Sequence, residues 1–123
     1  TMRELWALRD GIRTARDVLS GLGCRPRFNE EIHNGIYEAN GAGNLLEQLS
    51  DWLGGYEQAI ANVAKEAEPT TGDEVEHKNW LLLSFNADMA DSLEALAVQA
   101  TTAVQEVAHV KFKEEYARHR GAA

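Results

Sequence analysis

With 123 residues, 44% of them apolar and 26% charged, the chain has globular composition and enough length to bury a core without disulfide staples. A net charge of −8 repels phosphate backbones and so argues against direct nucleic-acid binding, while the longest apolar stretch, residues 80–85, is too short to span a bilayer. The single cysteine, Cys24, permits no internal disulfide; with no apolar leader opening the chain, the expected location is the cytoplasm.

The charge is unevenly placed. Residues 1–28 carry six Arg against Glu4, Asp10 and Asp17, a net +3. Residues 29–110 hold fifteen Asp and Glu against Lys65 and Lys78, a net −13, and the last thirteen residues return to +2. A central field of that sign would attract a basic protein surface.

In chain order, Leu5, Leu8, Ile12, Ala15, Leu19 and Leu22 repeat at steps of three and four, which predicts a first helix over about 2–22. Gly23 and Pro26 should end it, Gly23 in a left-handed cap. Asn29 reads as the N-cap of a second helix over 29–67, with Glu30 and Glu31 in its first turn. The apolar phase from Ile32 and Ile36 through Leu46, Leu49, Leu53, Tyr56, Ile60 and Val63 crosses the weak "ANGAGN" stretch, so this helix is either bent or broken near residue 41. After "EPTTGD", Asp73 and Glu76 form a capping box. Leu82, Phe85, Met89, Leu93, Leu96, Ala100, Val104 and Val107 then predict one helix over 74–118.

The expected fold is a single all-α domain over 1–123, a three- or four-helix bundle dominated by a long antiparallel hairpin. Exposed aromatics beside the main stripes, Trp6, Trp80, Phe112 and Tyr116, point to a homo-oligomer.

Three Glu-x-x-His spacings occur, at Glu30/His33, Glu74/His77 and Glu106/His109. Four-helix carboxylate proteins project such pairs into their cores to bind two metals. With a hairpin turn near residues 71–72, His33 and His109 would sit level on facing helices. Glu30, His33, Glu106 and His109 would then be the ligands of a ferritin-like dinuclear site for iron or manganese, a metal-dependent oxidase in the enzymatic case. Against this, at 100° per residue His109 points about 180° from the stripe that begins at Leu82. The favoured expectation is a solvated pair, with no cofactor.

Other signatures fail on particular residues. A histidine phosphotransfer domain would need a Lys three residues after His33, where Ile36 stands. The Trp-x-Gly of Trp52 and Gly54 has the spacing of small secreted helical-hairpin proteins, but the turn signal lies some seventeen residues later. Cys24 lacks an identifiable activating partner, and neither a phosphate loop nor a zinc cysteine cluster is present. The chain is therefore expected to be non-enzymatic.

Arg9, Arg13 and Arg16 lie together on the first helix and should neutralise part of the acidic second helix. Glu38, Glu47 and Asp51, and a second group of Asp88, Asp91 and Glu94 on a single broad face of the last helix, remain as candidate partner-binding residues. The functional expectation is a regulator, inhibitor or adaptor that engages a basic surface on another protein. By analogy, nucleic-acid-handling or host-defence machinery is one class of partner that would suit this charge pattern.

Overall fold

The computed structural model describes residues 1–122 and is predominantly helical, as the all-α expectation holds, with one small sheet in addition. Its elements are α1 (Met2–Gly23), a 3-10 turn (Pro26–Phe28), β1 (Asn29–His33), β2 (Ile36–Ala39), α2 (Gly41–Glu66), α3 (Gly72–Met89) and α4 (Leu93–Ala122). The chain divides into two compact units, one of Thr1–Trp6 with residues from Ala61 onward, the other of Ala7–Ile60.

Two expected helices are corrected. Residues 29–39 are an antiparallel β-hairpin and not the start of a helix. Asn34 (φ 38°) and Gly35 (φ 80°) both occupy the left-handed region, the backbone a two-residue type I′ turn demands. Glu31 pairs with Tyr37 and His33 with Ile36, which leaves Ile32 as the extra residue of a bulge. The Gly35 N–H donates to Glu31 Oε1 at 2.8 Å and tightens the turn. The helix that follows begins at Gly41, the point where the sequence is weakest.

Asn29 caps the end of α1 instead of the start of a helix. Its Nδ2 donates to the carbonyls of Gly23 (2.7 Å) and Arg25 (2.9 Å), so Gly23 ends α1 without a left-handed conformation. Asn40 is the cap of α2: its Oδ1 accepts from Gly43 N–H at 3.0 Å, while its Nδ2 donates to Arg27 O at 2.9 Å. Gly43 is buried against the 3-10 turn, where any Cβ would collide with the carbonyl oxygen of Phe28.

In the same unit Arg16 lies over Gly54 of α2, its guanidinium occupying the space a Cβ would contact at 3.2 Å. Arg16 Nη1 donates to Glu57 Oε2 at 2.8 Å, and Glu57 is only 8% exposed. The expected neutralisation of α2 by α1 is realised by this pair.

The second correction concerns residues 74–118. The helix stops at Met89 and restarts at Leu93, so α3 and α4 fold back on one another as an antiparallel hairpin. Asn86 donates to Gln99 (2.9 Å), Asn79 to Glu106 (3.3 Å) and Lys111 to Glu76 (2.5 Å), partners whose spacing widens steadily away from the turn. The Ser92 hydroxyl caps α4 by accepting from Ala95 N–H at 3.1 Å. At the other end, Thr71 caps α3 in place of the expected Asp73, its hydroxyl accepting from Glu74 N–H. Glu114 accepts from Gly72 N–H at 2.7 Å, and Glu74 in turn accepts from Met2 N–H at 2.8 Å. Carboxylates thus satisfy the orphan N–H groups of two helix starts. Met2, Ala61, Ala64, Val75, Leu81 and Ala103 are the buried apolar residues of this unit.

Candidate protein-interaction surfaces

Asp88, Asp91 and Glu94 were expected on one face of a continuous helix. They instead bracket the α3–α4 turn, at the end of α3, in the connection and in the first turn of α4. All three are exposed, and Asp88 makes a polar interaction of its own. Two apolar side chains stand among them: Met89, 65% exposed, and Leu93, 84% exposed. The turn is therefore an acidic tip with an apolar centre. Glu94 also sits where the positive end of the α4 dipole favours a carboxylate.

In the other unit, Glu38 is exposed on β2 directly opposite Glu30 of β1, a like-charged cross-strand pair. Glu47 and Asp51 are exposed one turn apart on α2. Both line a cleft of about 370 Å³ with Leu19, Cys24, Leu46 and Ser50. Cys24 is a free, exposed thiol.

The premise of the dinuclear metal arrangement does not hold. Glu30 and His33 lie on strand β1 and not on the helix that the four-helix carboxylate arrangement requires. The element facing α4 is α3, and Glu106 there accepts a hydrogen bond from Asn79 while His109 is exposed. Among the described residues, no group of three or more His, Cys, Asp or Glu is placed to hold a metal ion.

At the base of the α3–α4 hairpin Lys111 pairs with Glu76. Lys111 holds the Glu76 carboxyl below its ordinary range by a hydrogen bond and by its charge, and Glu76 raises the Lys111 ammonium in return. Beside this pair, Trp80, Leu83, Ala103, Val104, Val107 and Ala108 line an apolar groove of about 520 Å³. Phe112 and Tyr116 continue along α4 as an exposed stacked pair with centroids 6.5 Å apart.

An exposed apolar seam on α2 escaped the sequence reading. Leu45, Leu49, Trp52 and Tyr56 recur at steps of four, three and four, and all are exposed. Trp52 and Tyr56 meet edge to face with centroids 5.1 Å apart. The expected stripe merged Leu49 and Tyr56 with Leu46, Leu53 and Ile60, which belong to a neighbouring and more buried row. A step-by-step count of the heptad would have separated the two rows.

Among the described residues, no helix is long and apolar enough to cross a membrane. Comparison with known protein families, with curated proteins and with solved structures gives no match.

Proposed function

We propose that this protein is a non-enzymatic, acidic helical protein-binding module that acts as a regulator, inhibitor or adaptor on a basic surface of a partner protein. Nucleic-acid-handling or host-defence machinery is the class of partner proposed, and the cytoplasm the compartment. The acidic tip carries this conclusion: Asp91 and Glu94 flank Leu93, which is 84% exposed. An apolar anchor ringed by charge is the arrangement that concentrates binding energy at the centre of an interface. The surrounding carboxylates accelerate encounter with Lys- and Arg-rich surfaces and disfavour acidic ones. Glu38, Glu47 and Asp51 add a second acidic surface on the other unit. The protein is further proposed to work as a homo-oligomer.

Affinity capture from the native host with wild-type protein and with Asp91→Lys/Glu94→Lys tests this. Wild-type protein should retain a basic partner that the doubly reversed variant loses. Capture of the same proteins by both would contradict the assignment.

A further inference from the structure

Within residues 7–60, Ile60 is the one large apolar side chain among the described residues that is buried, whereas nine are exposed. Four of the nine form the α2 seam, which Ala59, also exposed, extends by one further step. Exposures of 56% for Leu45, 40% for Leu49, 61% for Trp52 and 48% for Tyr56 amount to roughly 400 Å² of apolar surface, about half of what one partner contributes to a standard interface. Neighbouring Asn44, Gln48, Gly55 and Ala59 are exposed as well and would supply the remainder.

The seam is also the uncharged side of its helix. At 100° per residue, Glu47, Asp51 and Glu57 all lie about 120° or more from its centre. Gln48, Gly55 and Asn44 flank it, and nothing lies within 4 Å of the place a Cβ would take at Gly55. For a chain of net charge −8, two copies can approach closely only across such a neutral face. A Lys- or Arg-rich partner would gain nothing from it.

We infer that the Leu45–Leu49–Trp52–Tyr56 face of α2 packs against the same face of a second copy, antiparallel, with Trp52 against the second copy's Tyr56 near the two-fold axis. This deepens the proposed self-association and does not depend on the acidic tip. In that register Leu49 of one copy meets Ala59 of the other, large against small, as interdigitation requires. The antiparallel sense follows from charge. Residues 29–60 hold Glu30, Glu31, Glu38, Glu47, Asp51 and Glu57 and no Lys or Arg. Parallel helices would set all of those carboxylates at equal height, whereas antiparallel helices place the two β-hairpins, with Glu30, Glu31 and Glu38, at opposite ends and leave Asp51 level with the second copy's Glu57, each turned away from the seam.

Sedimentation equilibrium of the full chain should give twice the monomer mass of 13.6 kDa. Trp52→Glu and Leu49→Glu should each weaken the dimer by at least about 30-fold, the loss expected at an interface centre, with unchanged far-UV circular dichroism. Glu115→Lys, on exposed α4, should leave it intact. A maleimide cross-linker should join Leu49→Cys chains to Ala59→Cys chains in a Cys24→Ser background, and should not join Leu49→Cys chains to each other. A wild-type monomer at roughly 100 μM would overturn the inference, as would a dimer indifferent to both glutamate substitutions or self-cross-linking of Leu49→Cys. Capture of a basic partner by the Trp52→Glu protein would separate failure of the seam from failure of the tip.

Discussion

Asn86 donates a side-chain hydrogen bond to Gln99 at 2.9 Å, thirteen residues along the chain and on the opposite helix of a hairpin. This contact lies close to the point where α3 turns back, so that Asp88, Asp91 and Glu94 bracket the connection between the two helices. The turn needs the Ser92 cap, since the first N–H groups of α4 have no partner of their own. Ser92→Ala should lower stability by about 1 kcal/mol in urea denaturation. Amide exchange should rise in the first turn of α4 and not in α2.

The Arg16–Glu57 pair is a charged contact between α1 and α2 within the second unit. Glu57 Oε2 accepts from Arg16, while Oε1 is buried with no hydrogen-bond partner. Removing the cation would strand a carboxylate out of water, so Arg16→Ala should cost about 3 kcal/mol, the lower end of the range because Arg16 is a third exposed. Arg16→Met combined with Glu57→Leu should recover most of that loss. Denaturant midpoints of both variants beside wild type check this.

Two glycines of contrasting surroundings separate backbone contact from helix propensity. At Gly43 a methyl group would overlap the Phe28 carbonyl and touch Ala39, so Gly43→Ala should destabilise by about 1–3 kcal/mol. At Gly11, inside α1, nothing lies within 4 Å. Gly11→Ala should therefore stabilise by about 0.5–1 kcal/mol. Thermal unfolding of both variants beside wild type gives the comparison.

The Glu76–Lys111 pair makes stability depend on pH at both extremes. The Glu76 pKa is lowered from 4.5, so its contribution is complete above that value and is lost as pH falls through the depressed folded-state pKa. The Lys111 pKa is raised from 10.5, so its contribution is complete below that value and disappears as pH rises through the elevated one. In Lys111→Met, NMR titration of the Glu76 carboxyl should return it toward its ordinary range. Both pH dependences should flatten.

Much of the helical content was legible because amphipathic periodicity is a direct record of which side faces a neighbour. α1 ends one residue from its expected limit, and α2 ends one residue short of its own. The break at residues 90–92 was hidden because Met89 to Leu93 is a step of four, so a three-residue turn preserved the apolar rhythm across two helices. Asp91 and Ser92, poor helix formers and good caps, were the local signal. The β-hairpin was hidden differently. Ile32 and Ile36 fit a helical phase, and that outweighed Asn34-Gly35, the dipeptide most strongly tied to type I′ turns. Of the candidate residues, the acidic ones were selected by charge alone. Their grouping around an exposed leucine could not be found that way, because it depends on the turn.

The most direct test of the acidic tip as a partner-binding site is a photo-cross-linking amino acid at position 93, activated in living host cells. One predominant adduct with a protein rich in Lys and Arg is predicted, and its yield should collapse when Asp91 and Glu94 are both changed to Lys. An adduct unaffected by that reversal, or no adduct above a probe placed at Glu115, would contradict the account.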